Sequence, residues 1–217
     1  MPAYREHDIT LASFAQIDKE LGDRKLGGKE LDSHRFSEAE YAVVRRVIHT
    51  TADFEFAELM QFTGGPIEAA AQTFSSGCPI VTDVSMVAAG IATVVQRTWQ
   101  SSVKVAVKQV VASDVLPRQT RSSQGMQQCL SDYPHSVFAV GNAPTALLTL
   151  CNSVANGQCR PALVIGAPVG FINVVESKQM LTSLDIPHVV VNGRKGGSAV
   201  AAAILNALMI WTWEAQA

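Results

Sequence analysis

From residue 64 onward the chain alternates short, almost continuously apolar runs with longer helical segments, and Gly, Pro, Asn or Asp marks each switch. Five runs read as strands: Cys78–Thr82, Val103–Val107, Val137–Val140, Ala162–Ile165 and His188–Val191. Runs this short and this apolar suit strands covered on both faces, as in a parallel sheet between two helical layers. Pro66 suits a first helical turn and Gly77 a left-handed cap, which predicts a helix over Pro66–Phe74. Pro144 and Gly157 bracket Pro144–Ala155 in the same way. The expected fold is α/β: a single Rossmann-like, doubly wound domain with a mainly parallel central sheet flanked by helices.

Before residue 36 the pattern is weaker. An apolar patch from Ile9 to Ile17 gives way to charges and to Gly22, Gly27 and Gly28, so residues 1–36 are expected to form an arm or loop region on one domain spanning 1–217. Ser37-Glu38-Ala39-Glu40 then presents a capping box, which predicts a helix from about residue 38 to 50. Ala199 to Trp213 is the longest apolar stretch. Asn206 interrupts it, and it falls short of the ~20 residues that a membrane span needs, so it reads as a core or interface helix.

Composition narrows the function classes. A chain of 217 residues, 47% hydrophobic and 17% charged, buries a substantial core, and its net charge of −2 provides no global field for an anionic partner. Nucleic-acid binding is a poor expectation, and any anion must be caught by a local cluster. Cys78, Cys129, Cys151 and Cys159 form no CxxC pair and have no His at zinc-finger spacing, so neither a metal site nor a disulfide framework is expected. Arg5, Glu6, His7 and Asp8 near the start are unlike a secretory signal, which points to a cytoplasmic enzyme.

In open parallel sheets ligands gather beyond the carboxyl ends of the strands. Four junctions there stand out: Thr82-Asp83, Gly141-Asn142-Ala143-Pro144-Thr145, Gly166-Ala167-Pro168-Val169-Gly170 and Gly193-Arg194-Lys195-Gly196-Gly197-Ser198. The last resembles a phosphate loop with Arg194 and Lys195 supplying charge, but it matches neither GxxxxGK[ST] nor GxGxxG. A turn serving only strand-to-helix geometry is the alternative. Arg45, Arg46 and His49 lie three or four residues apart and share a helix face. Such a face suits a polyanionic substrate that needs a proton moved; the alternative is that it only complements the helix C-terminal dipole. His7, His34, His135 and His188 have no comparable setting, and no GxSxG elbow, HExxH or paired-carboxylate pattern appears.

At these residues the chain resembles the precorrin-8X methylmutases. The likeness runs through Val44-Arg45-Arg46-Val47-Ile48-His49-Thr50-Thr51-Ala52-Asp53-Phe54-Glu55-Phe56, then Asp83-Val84-Ser85-Met86-Val87, Thr120-Arg121-Ser122 and Gly141-Asn142-Ala143-Pro144-Thr145-Ala146-Leu147. It continues through Pro168-Val169-Gly170-Phe171 with Glu176-Ser177-Lys178, and Gly193-Arg194-Lys195-Gly196-Gly197-Ser198-Ala199. The resemblance implies an isomerase that moves a methyl group from ring carbon 11 to ring carbon 12 of precorrin-8X or cobalt-precorrin-8, giving hydrogenobyrinic acid or its cobalt counterpart. It implies no metal and no organic cofactor. His49 matches the family's proton donor and acceptor, Ser13 and Arg46 match substrate-binding positions, and Arg121 is a further contact. Asn142, Thr145, Arg194 and Lys195 complete the expected contacts to the tetrapyrrole's acetate and propionate groups. The stretch from Ser13 to Phe36 is longer than in some members. The family also implies a homodimer with the active site near the subunit boundary, and Leu208, Ile210, Trp211 and Trp213 look exposed enough to face a partner. Two readings from other classes stand beside this one. A non-catalytic tetrapyrrole carrier needs the same pocket without the acid, and a nucleotide-binding oxidoreductase shares the fold but needs the missing GxGxxG.

Overall fold

The computed structural model describes residues 4–23, 25–26, 29–30 and 35–216. Gly27, Gly28 and His34 lie outside the described residues. In chain order the elements are α1 (Asp8–Asp23), β1 (Lys25–Leu26), β2 (Lys29–Glu30), α2 (Glu38–Thr51), α3 (Phe56–Leu59), β3 (Met60–Thr63), α4 (Pro66–Ser75), β4 (Ile80–Thr82), α5 (Ser85–Arg97), β5 (Val103–Val105), α6 (Arg121–Asp132), β6 (Val137–Val140), α7 (Pro144–Ala155), β7 (Leu163–Gly166), α8 (Val174–Thr182), β8 (His188–Val191) and α9 (Ser198–Glu214). Short 3-10 turns, Ala106–Lys108 and Ala112–Asp114, follow β5.

Six strands form the main sheet in the order β3-β8-β7-β6-β4-β5. β4 through β8 are parallel, and β3 adds an antiparallel edge against β8 with Met60 opposite Val191. The expected doubly wound sheet is therefore present. With the parallel strands ranked in chain order, the sheet reads 5-4-3-1-2, the flavodoxin-like order, whose direction reverses between the first and third strands. Here that switch point lies between β4 and β6.

Alternate residues of each central strand enter different layers. Val137, Ala139, Leu163, Ile165, Val189 and Val191 join the core formed with α1, α2, α4, α5 and α9. Phe138, Val140, Val164 and Val190 join the core formed with α6, α7 and α8. This two-sided demand is why the strands read as continuous apolar runs.

Two expectations need correction, and one strand went unread. The arm over residues 1–36 contains a regular helix, α1, because Phe14, Ile17 and Leu21 recur at helical spacing and are buried against α2. β3 went unpredicted: only Met60 and Phe62 are apolar in its four residues, and an edge strand covered on one side leaves no continuous run. The C-terminal helix α9 is not exposed. Leu208 is 0%, Ile210 5% and Trp213 9% accessible, and only Trp211 among the four is half-buried. α9 is apolar on nearly every face because α2, α4 and α5 surround it. Gly90 of α5 lets the helices approach so closely that a Cβ there would sit 2.7 Å from that of Ala202, and Asn206 donates its side-chain N–H to Gly90 O at 3.0 Å. Trp213 packs edge-on against Trp99 at 5.2 Å between ring centres.

Candidate functional site

All the parallel strands deliver their carboxyl ends to one edge of the sheet, and at its switch point lies Asp83, fully buried just after β4. Its carboxylate accepts three successive backbone N–H groups: Gly141 at 3.0 Å on Oδ1, and Asn142 and Ala143 at 2.8 Å each on Oδ2. A nest of this kind before a helix is where flavodoxin-like folds hold an anionic ligand. Here the protein's own carboxylate occupies it, so the nest is not open to a nucleotide phosphate. Burial pushes the Asp83 pKa up, and the three N–H groups oppose that shift. The loop so fixed presents exposed Asn142 and half-buried Thr145, whose hydroxyl lies 2.9 Å from that of Thr120, the N-cap of α6. Arg121 begins α6, is exposed, and donates from Nε to Val110 O at 2.8 Å.

The glycine-rich turn after β8 is packed from both sides. Gly196 has φ 152°, and a Cβ there would lie 2.3 Å from Ala167 O, while Gly197 N donates to Ala167 O at 2.8 Å. Gly196→Ala is therefore expected to destabilise the protein by about 1–3 kcal/mol through overpacking against backbone. Thermal denaturation checks this, and an unchanged midpoint would contradict it. Beneath the turn, the buried ammonium of Lys178 donates to Gly193 O at 2.9 Å and Lys195 O at 2.7 Å. Lys195 reaches outward to Asp53 Oδ2 at 2.5 Å and Glu55 Oε2 at 2.8 Å, and its hydrogen bond lowers the Asp53 pKa. Arg194 is exposed and lies over the ring of Phe171, 5.7 Å from its centre. Phe171 and its neighbour Ile172 are 83% and 79% accessible.

His49 stands in the last turn of α2, which the capping box at Ser37 and Glu40 begins and Ala52, in a left-handed conformation with φ 53°, ends. The ring is exposed and meets Phe14 of α1 edge-on at 5.4 Å. His49, Ser13, Gln16, Ile17, Ile48 and Phe54 help line an open cleft of about 490 Å³ between α1 and α2. Ser13 donates its hydroxyl hydrogen to Ile9 O at 2.8 Å, which leaves its oxygen able to accept. Phe14 is the divider: the Arg45 and Arg46 guanidinium carbons lie 4.5 and 5.4 Å from its ring centre. Both arginines already have acidic partners, Asp18 for Arg45 at 2.8 Å and Glu6 for Arg46. Arg46 thus helps line the adjoining cleft of about 190 Å³ with Glu6, Trp211 and Glu214.

The structure brings Ser13 and His49 to one cleft, sets Arg46 behind Phe14, and ties Lys195 to the segment following His49. Arg121, Asn142, Thr145 and Arg194 lie along the carboxyl edge. Sequence reasoning gave no role to Phe14, Glu6, Asp83 or Lys178. Two of them carried a usable signal: Asp83 belongs to the Thr82-Asp83 junction that stands out after an apolar strand, and Lys178 is a charge in the stripe Val174, Ser177, Lys178, Leu181 that helical spacing assigns to the core. Among the described residues, no group of three or more His, Cys, Asp or Glu is arranged to hold a metal ion. The described cysteines are free, and three of the four are buried.

The family profile for precorrin-8X methylmutase matches residues 8–211. The cobalt-precorrin-8 methylmutase of Synechocystis sp. is 42% identical over 223 residues, covering 96% of this chain and 97% of that protein. The precorrin-8X methylmutase of Sinorhizobium sp. is 34% identical, covering 82% of this chain and 87% of its own. A solved structure of the precorrin-8X methylmutase from Thermus thermophilus superposes with a TM-score of 0.84 at 35% identity, covering 95% of this chain and 96% of that one. The chain belongs to the precorrin-8X methylmutase family.

Proposed function

We propose that the cleft between α1 and α2 receives the reacting part of a corrin precursor, with His49 giving and taking the proton that assists methyl migration. The observation that carries this reading is the convergence of His49 and Ser13 on one open, largely apolar cleft. The family's reaction is an isomerisation of cobalamin biosynthesis in which a methyl group moves between neighbouring ring carbons of a tetrapyrrole. Substrate and product have the same atoms, so a proton given to the conjugated ring must be returned. One imidazole can do both. The remaining work is holding the macrocycle still. Arg46, Arg121, Asn142, Thr145, Arg194 and Lys195 are the groups we assign to its peripheral carboxylates. The similarity to the Synechocystis protein favours the cobalt-containing substrate over the metal-free one.

The test is incubation of the purified protein with precorrin-8X and with cobalt-precorrin-8, followed by absorption spectroscopy and NMR of the methyl position. Methyl migration is the expected result. Tight binding with unchanged spectra would identify a carrier instead, and saturable binding of NAD or NADP would revive the oxidoreductase reading.

Because Glu6 already pairs with Arg46, a substrate carboxylate must displace it. Arg46→Ala is expected to weaken substrate binding roughly 10- to 100-fold, the scale of one charge-assisted hydrogen bond. Glu6→Gln is expected to strengthen it. Titration of each variant checks both, and unchanged affinities would remove Arg46 from the substrate site.

A homodimer and a cytoplasmic location belong to the same reading. Free thiols suit a reducing compartment. With α9 occupied by the chain's own core, the apolar side chains left for a partner include Met86, Phe171 and Ile172 at the carboxyl edge. Sedimentation at micromolar concentration should show a dimer, and a monomer there would overturn this part.

A further inference from the structure

We propose that Lys178 is a positioning residue for the isomerisation: its ammonium, sealed beneath the Gly193–Lys195 turn, fixes that turn so that Lys195 holds the Asp53–Glu55 segment following His49. The proposal rests on the reading that His49 moves the proton.

Lys178 is 1% accessible. Among the described residues no acidic side chain pairs with it, and its recorded partners are the carbonyls of Gly193 and Lys195. Burial alone pulls its pKa down to about 8, so it remains largely charged at neutral pH at a cost in desolvation. A methionine has nearly the same length and would complete the stripe of Val174 and Leu181 without that cost. What the lysine adds is two strong donors aimed at one turn.

That turn has little other freedom. Gly196 and Gly197 press against Ala167 on its far side, and Gly193 takes a left-handed φ of 71°. Clamped between, the backbone sends Lys195 outward to Asp53 and Glu55. The segment it grips begins at Ala52, whose left-handed conformation ends α2 three residues after His49. Movement of Asp53 is therefore passed to the last turn of α2. Lys178 touches no reacting atom and acts through the turn and Lys195.

The experiment uses Lys178→Met, Lys195→Met and the double variant, each checked for cooperative melting. It measures kcat and KM with the corrin precursor that the wild type turns over, and amide hydrogen exchange in residues 192–197 and 52–55. We expect both single variants to lower kcat by roughly 10- to 100-fold, the scale of a small misplacement of a reacting group; KM should change little in Lys178→Met and rise in Lys195→Met, which also loses a substrate-carboxylate contact. Exchange should accelerate in both segments, and the double variant should be no worse than the more impaired single one, because both act along one route. Multiplying effects on kcat, or accelerated exchange in residues 192–197 with unchanged exchange in 52–55, would overturn the proposal. So would normal kcat in folded Lys178→Met. Should Lys178→Met fail to fold, Lys178→Gln, which keeps an amide donor for one carbonyl, is read by the same criteria. Lys195→Met, at a half-exposed site, tests the outer link alone when read by exchange in residues 52–55, which needs no substrate. Exchange needs no substrate, so inactivity of the wild type on both precursors would overturn the functional reading, while exchange would still judge the mechanical link.

Discussion

Replacing His49 with alanine should lower turnover by ~10²–10⁴-fold while changing substrate affinity by roughly 1 kcal/mol, because a general acid–base group acts in the transition state and one hydrogen bond among many adds little to binding. Alanine removes the imidazole without breaking the helix, since it is a strong helix former and His49 sits on the exposed face of the last turn. The cleft should survive, because Ile17 and Ile48 in its wall are buried in the core between α1 and α2, although Phe14 loses its edge-on contact with the imidazole. The competing role, a cation complementing the α2 dipole, predicts something different. Such a group contributes about 0.3–1 kcal/mol to stability, so the variant would melt slightly lower and keep near-normal turnover per folded molecule. Single-turnover rate measured beside the dissociation constant separates the two. Retention of more than about a tenth of the wild-type rate would sink the catalytic assignment.

The parts of the fold that depend on local rules were legible in advance. The box at Ser37 and Glu40 formed as its residues require, and Gly77 and Gly157 took φ values of 72° and 68° after their helices. The predicted runs Val137–Val140 and His188–Val191 have the observed strand bounds, because both faces of those strands are buried and the sequence must be apolar throughout. Cys78–Thr82 was read too long: only Ile80–Thr82 has neighbours to pair with, and Cys78 instead donates its backbone N–H to Thr73 O after α4. What sequence could not carry was the use of a surface. An apolar helix looks the same whether a partner copy or the chain's own helices cover it, and α9 turned out to be covered from within.

The electrostatics of the site were the least legible. Arg45, Arg46 and Lys195 read as free cations, yet Asp18, Glu6, Asp53 and Glu55 answer them. Asp18, Glu6 and Asp53 lie 27, 40 and 142 residues along the chain from the cations they meet, and only the packing of α1 with the segment before it and of the β8–α9 turn brings the pairs together. A mildly acidic protein can thus keep its cations ordered for an anionic ligand, with its own carboxylates holding the places until a stronger, multivalent anion arrives.

Asp83 shows the same substitution of an internal anion for an external one, and its removal should be among the most damaging changes to stability. Asp83→Ala would strip the acceptor from three buried or half-buried N–H groups, at about 1–3 kcal/mol for each donor left unsatisfied, with partial relief wherever water enters. A total near 3–5 kcal/mol is expected, or roughly 6–20 °C in melting temperature for a chain of this size. Asp83→Asn should cost less, because its oxygen still accepts and the buried charge is gone, although its amide must face an N–H donor. The pH dependence fixes the sign of the charge effect. Burial raises the Asp83 pKa in the folded state, so between the unfolded and folded values the native protein binds more protons and gains stability as pH falls. Asp53, lowered by Lys195, works the other way and loses its contribution only as pH drops through its own folded pKa. Asp53 is common to wild type and Asp83→Asn, so the difference between their melting temperatures isolates Asp83. That difference should move in favour of the wild type on acidification from neutral pH toward about pH 4. A flat or opposite trend would mean that the three N–H groups outweigh burial and that the carboxylate is held as a net-stabilised anion.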